Sequence, residues 1–306
     1  MAIVLGPNRY GKADVRLVRV VKDGDTHRLA DLTVGIALAG DLAATHLTGD
    51  NSGVLPTDTM KNTVYAFAKE YGVGEPETFG LLLARHFVGS QPQVHRARVS
   101  IEAYGWERLG PHSFRRTADY VRSCVVTAGE PDVQVVSGIS GLVLLNSTGS
   151  EFHGYPKDRY TTLPETSDRI LATAVDAKWR HLSDRTDWAA SFAGVRDAMV
   201  DAFVTTYSFS LQQTLFSMGT RVLEARPEVA EVRLALPNKH HYPVDLTPFG
   251  MANGNEVFIA GDRPYGLIEG TVTRDDAPPA PEGPGFSAPS EGPGAGNGTA
   301  PAEWYL

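Results

Sequence analysis

The chain reads as an α+β protein made of one unit used twice, each unit a four-stranded antiparallel sheet with a helix pair on one face. Three observations predict it. Segments rich in β-branched residues come in pairs, two helical segments follow the first pair, and another strand pair follows those, so the order β-β-α-α-β-β occurs twice in 306 residues. Apolar residues alternate where strands are expected, as in Leu32, Val34, Ile36 and Leu38. The helical segments instead repeat apolar residues every three or four positions.

Residues 14 to 21 and 29 to 39 form the first hairpin, with Asp23-Gly24-Asp25 supplying turn residues. Pro56 disfavours helix at Leu55, and Thr57, Asp58 and Thr59 all suit an N-cap, so a helix starts here with Met60, Val64, Phe67, Ala68 and Tyr71 on one face. A second helix starts at Pro76, buries Phe79, Leu82, Leu83 and Phe87, and stops at Gly89. Strands over 93 to 107 and 113 to 126 close the unit. In the second unit, strands are expected over 133 to 145 and 168 to 182, helices over 187 to 203 and 210 to 226, and strands over 229 to 237 and 255 to 272, the last broken near Asp262-Arg263-Pro264. The expected domains are 1 to 130 and 131 to 274. From 275 to 306 the chain turns to Pro, Gly, Ala and Ser without Lys or Arg, the composition of a flexible tail. Sheets this short leave edges and one face bare, which predicts an oligomer.

Composition narrows the function. Hydrophobic residues make up 42% of the chain and aromatics 9%, values of a soluble globular protein. No apolar run has the length a bilayer needs, and Met1 to Leu5 is too short an apolar start for a signal peptide, so a cytoplasmic protein without a membrane partner is expected. The net charge of −8 argues against nucleic acid as a partner. Cys124 is the only cysteine, which rules out an intrachain disulfide and a thiolate metal cluster; its strand-like surroundings suit a buried structural thiol.

The stretch Pro56-Thr57-Asp58-Thr59-Met60-Lys61-Asn62-Thr63 opens a helix whose N-terminus offers free N–H groups and a positive dipole end. Read alone, Thr57 and Asp58 only cap that helix. With the residues that follow it, the run PTDTMKNTVYAFAKE resembles the signature of the urate oxidase (uricase) family, cofactor-free enzymes with a duplicated tunnelling fold (T-fold). Four further segments resemble the same family in the same order, besides Asn8-Arg9-Tyr10-Gly11-Lys12, which matches where the family keeps a catalytic lysine. Ser150 to Tyr155 resembles the segment whose phenylalanine stacks on the purine, and Glu165 to Leu171 the segment with a substrate-gripping arginine. Phe209 to Thr214 resembles the segment with a ring-pairing glutamine, and Leu236-Pro237-Asn238-Lys239-His240 the segment that holds water or O2 and supports proton transfer.

The resemblance implies Lys12, Thr57 and His240 as catalytic, and Thr57, Asp58, Phe152, Arg169, Leu211, Gln212 and Asn238 as substrate-binding, with Leu211 acting through its backbone N–H where the family has valine. It also implies urate and O2 as substrates, no metal and no organic cofactor, and a homotetramer around a central tunnel with sites shared between subunits. Each residue has a plainer reading beside this one: Lys12 as a solvated strand residue, Phe152 as a core aromatic, Arg169 as a surface residue and His240, like His241, as structural. The ending Trp304-Tyr305-Leu306 departs from the peroxisomal tripeptide of many eukaryotic members. Two rivals remain: a pterin-acting T-fold enzyme, for which no CxxC or HxH is seen, and a purine-binding scaffold without catalysis.

Overall fold

A computed structural model of the chain describes residues 2–129, 132–261 and 263–278. Strands β1 (Tyr10–Asp23) and β2 (Thr26–Gly40) form the first hairpin. A short helix α1 (Ala43–Leu47) leads to α2 (Thr57–Glu70) and α3 (Pro76–Ser90), then to β3 (Val94–Arg108) and β4 (Phe114–Gly129). The second unit runs β5 (Gln134–Asn146), β6 (Leu171–His181), α4 (Trp188–Thr205), α5 (Leu211–Ala225) and β7 (Val229–Pro237), followed by β8 (His240–Pro243), β9 (Phe258–Gly261) and β10 (Leu267–Thr273).

The two expected sheets are continuous. β4 pairs with β5, giving one eight-stranded antiparallel sheet in the order β1-β2-β3-β4-β5-β6-β7-β10, with β1 and β10 at its edges. The alternation seen in the sequence sends one set of side chains to the helix-covered face and the other to a bare face. Under α2 and α3, Val34, Leu38, Met60, Val64, Phe79, Phe87, Val99 and Ile101 form one core; under α4 and α5, Trp179, Val195, Met199, Phe203, Leu215, Met218, Val232 and Leu234 form another. The bare face carries Thr33, Arg98, Ser100, Glu102, Lys178 and Arg233.

A buried polar cluster ties the halves together. Ser137 on β5 donates to Glu77 Oε1 of α3 at 2.6 Å, and Arg122 on β4 donates to Glu77 Oε2 at 2.7 Å. His181 Nε2 on β6 lies 3.0 Å from the same Ser137 oxygen. The serine proton goes to the carboxylate, so His181 donates through Nε2–H, leaving Nδ1 bare; Nδ1 has no partner, and the edge of Trp188 packs on the ring at 5.0 Å. Burial pushes Glu77 above the usual carboxylate range and His181 down to about 4.

The sequence differs from the structure in two places that matter. The N-cap position of α2 is Pro56, with no side-chain cap, and Thr57 is the first helical residue. Its hydroxyl is therefore not spent on capping. The last expected strand is two, separated by the 263–266 segment, and its first part pairs with β8, a strand too short and too mixed in character to show periodicity. Residues 275–278 stay attached to the body, Pro278 accepting a hydrogen bond from Arg180 at 2.7 Å; the rest of the expected tail lies outside the described residues. Cys124 is buried and free, its thiol pushed up by burial. Among the described residues no helix is long and apolar enough to cross a membrane.

Candidate active site

Lys12 sits on the edge strand β1 under tight local constraint. A Cβ at Gly11 would lie 1.8 Å from the Ile36 carbonyl oxygen, so only glycine lets β1 close on β2 there. Directly afterwards the register slips between Lys12 and Val15, with Asp14 at φ 54°. The bulge re-aims the strand end that carries Lys12. Thr57, half-buried, opens α2, which is held in place by Met60, Val64 and Ala68 in the core. Asp58 is exposed, and its carboxylate accepts from Lys61 and, at 2.9 Å, from Asn62 Nδ2. The Lys61 hydrogen bond and charge, with a smaller contribution from Lys12, hold it below the usual carboxylate range. Lys12, Thr57 and Asp58 thus belong to one corner of the molecule.

A second set forms beside β6 and β7. Ser150 is fully buried; its carbonyl accepts the Arg169 N–H at 2.9 Å and its hydroxyl accepts Arg169 Nε at 3.2 Å. The guanidinium lies 5.3 Å from the centroid of the Phe152 ring, and Tyr155 stacks on that ring at 4.9 Å and 19°. Burial lowers Arg169 from its ordinary value, yet it stays charged near neutrality. Asn238 is pinned through its N–H to the Gly266 carbonyl at 2.8 Å and by a bridge to Thr173. His240 Nε2 accepts from Gly266 N–H at 3.4 Å, and the ring stacks near Tyr242 at 5.7 Å. Burial first, then the charges of Arg169 and His241, keep His240 below its ordinary value, hence neutral at pH 7.

Leu211 and Gln212 open α5. Ser210 caps the helix by accepting Gln213 N–H at 3.2 Å, and Gln213 Oε1 accepts Phe209 N–H at 2.8 Å, close to a capping box. Gln213 is thus structural, whereas Gln212 projects into solvent and Leu211 is buried with its N–H among the helix's unpaired first donors. This end of α5 is bolted to Ser150: Ser208 bridges to Ser150, and Thr214 donates to the Ser208 hydroxyl at 2.8 Å. Sequence reading missed Ser150, Ser208, Tyr155 and Gly266, because small polar residues in irregular segments carry no periodic signal. The Phe-x-x-Tyr spacing at 152 and 155 was the one available hint.

The chain does not bring its two sets together. Lys12 is on β1, one edge of the sheet; Asn238 and His240 flank β10 at the other, with six strands between. Among the described residues no hydrogen bond, ion pair or ring contact joins Lys12, Thr57 or Asp58 to any residue of the second set.

A family model described as uricase matches residues 8–127 and 135–269. The chain belongs to the uricase family. It is 49% identical to the uricase of Arthrobacter globiformis over 275 residues, covering 89% of this chain and 91% of that one, and 38% identical to the uricase of Dictyostelium discoideum, covering 87% and 96%. The crystal structure of the Arthrobacter globiformis uricase superposes with a TM-score of 0.89 at 48% identity, covering 92% of this chain and 98% of that one. A uricase structure from Bacillus fastidious reaches 0.75 at 23% identity, covering 88% and 94%, which shows the shared fold alone. The fold is therefore the uricase T-fold, with its unit repeated.

Proposed function

We propose that this member of the uricase family oxidises urate with O2 and water to 5-hydroxyisourate and hydrogen peroxide, through a Lys12 and Thr57 relay and without metal or organic cofactor. Lys12, as the free amine, takes a proton from the urate anion by way of the Thr57 hydroxyl. The electron-rich ring gives two electrons to O2. Water adds to the oxidised ring as hydroxide, forming the C–O bond; its proton and the one held by the relay go to the reduced oxygen, which leaves as hydrogen peroxide. Neutral His240 supports the relay and Asn238 holds the water or O2. Arg169 and Gln212 grip the edge of the ring, Phe152 stacks on it, and Thr57, Asp58 and the Leu211 N–H complete its contacts.

The observation that carries this reading is the separation of the two sets to opposite sheet edges. Each set is locally built, and each is incomplete. Two chains joined at their sheet edges would supply Lys12 and Thr57 from one and Arg169, Gln212 and His240 from the other, as part of a homotetramer around a tunnel. The same reading divides the chain into 1–130, 131–274 and a tail over 275–306, and sets it in the cytoplasm, where a lone thiol such as Cys124 stays reduced.

Two results are expected. After exhaustive chelation, purified protein still consumes urate and releases peroxide in step; activity that vanishes and returns with one added metal contradicts the cofactor-free reaction. Ser150→Ala frees the Arg169 side chain from its anchor, so the affinity for urate and for competitive inhibitors falls roughly fivefold, the scale of one lost hydrogen bond, while kcat changes little. An unchanged KM would show that Arg169 is held by other means.

A further inference from the structure

Phe152 is proposed to lie flat against urate, yet its own backbone fixes little more than the position of its Cα. Its ties are to Thr166: Phe152 N–H donates to the Thr166 carbonyl at 2.8 Å, and Thr166 N–H donates back to the Phe152 carbonyl at 3.1 Å. These bonds leave the ring free to turn about its two side-chain torsions. A ring that presents one face to a flat molecule needs a second support.

Tyr155 supplies it. Gly154, at φ 74°, takes the chain through the left-handed region between the two aromatic residues, and their rings stack with centroids 4.9 Å apart and planes 19° apart, an offset parallel pair. The turn is held by Glu165, whose Oε1 accepts Gly154 N–H at 3.1 Å and pairs with Lys157 at 3.3 Å. The far end of the tyrosine is held as well, its hydroxyl donating to the Leu163 carbonyl at 2.6 Å. Tyr155 is therefore fixed at its base and at its tip, and one face of Phe152 rests on it. Among the described residues no other aromatic ring contacts Phe152.

With Phe152 taken as the ring that stacks on urate, as in the function proposed above, we infer that Tyr155 is a positioning residue for that reaction: it backs Phe152, fixes the plane of its ring and leaves the opposite face for the substrate. A flat side chain does this where an aliphatic one does not, because two parallel rings in contact allow one plane and a branched chain allows several. Urate then meets a ring that is already ordered, so binding does not have to order it. Loss of the support falls on affinity; Lys12 and Thr57 lie in the other set and keep their turnover.

The test titrates the full-length oligomer with urate in the absence of O2, so that urate binds without reacting and loss of intensity in its ultraviolet band reports stacking. Tyr155→Leu is expected to raise Kd and KM roughly fivefold, the scale of one aromatic pair, and to weaken the band change, with kcat within about twofold of native. Tyr155→Phe keeps the ring and loses only the bond to Leu163, so it should bind and stack urate almost as the native protein does. Phe152→Leu should abolish the band change. If it does and Tyr155→Leu still binds urate as tightly as native or more tightly, the positioning role is overturned while the reading of Phe152 stands. Equal losses in Tyr155→Leu and Tyr155→Phe would assign the effect to the Leu163 bond and likewise overturn the stack as the support. Native protein that binds no urate, or Phe152→Leu with a native band change, overturns the reading of Phe152 and the role of Tyr155 together.

Discussion

Lys12→Met is expected to lower turnover by roughly 10² or more, the usual scale for loss of a general base, with little change in the affinity for competitive inhibitors. Methionine keeps the aliphatic stem of the half-buried lysine and so preserves the packing at the β1 bulge. It removes the only nitrogen at that position. The groups proposed to hold the ring, Phe152, Arg169 and Gln212, belong to the other set and are untouched, so binding and chemistry separate cleanly. Steady-state turnover beside an inhibitor dissociation constant checks it. Near-native turnover would remove Lys12 from the mechanism.

The second large effect concerns stability in acid. His181 is pushed down to about 4 against an ordinary value of 6.5, so the unfolded chain binds a proton more readily than the folded one between those two pH values. Stability is then full above 6.5 and is lost as pH falls toward 4, by on the order of 3 kcal/mol from this group. Glu77 works in the opposite sense: its raised value means that the folded state takes up a proton first, which relieves the cost of a buried carboxylate on acidification. His181→Gln removes only the first contribution. Denaturant curves at several pH values should show a flatter acid limb in the variant than in the native protein. Parallel limbs would mean that His181 does not titrate in the acid transition.

Most of the fold was legible because it is periodic. Alternation in β2 and the three-to-four spacing in α2 gave the type of each element and most of its buried face: Met60, Val64 and Phe87 are buried, whereas Tyr71, expected on the buried face of α2, sits at its C-cap and is exposed. What joins the elements was less legible. Nothing in β4 or β5 announces that they pair, because pairing is a long-range choice made by backbone groups that every residue has. β8 and its pairing with β9 escaped notice for a related reason: four residues are too few to show a period. At the candidate site, the residues named from family resemblance were visible as motifs, whereas Ser150, which orients Arg169 with a buried hydroxyl, is recognisable only once its partner is placed beside it. The β1 bulge behaves likewise. Nothing in the sequence marks Gly11, which the fold makes a steric requirement.

The shared site is the central claim, and mixed chains test it most directly. Thr57→Ala and Arg169→Ala each remove one group from one set, so each variant oligomer alone should be nearly inactive. In a mixed pair, one site receives the intact Thr57 set from one chain and the intact Arg169 set from the other, and is native in every contact; the companion site carries both defects. Activity of co-expressed, demonstrably mixed oligomers should therefore recover toward half the native level and not beyond it, and less if chains assort at random. A site built within one chain stays inactive in any mixture. Mixed oligomers no more active than their parents would contradict the account and place all the catalytic groups in a single chain.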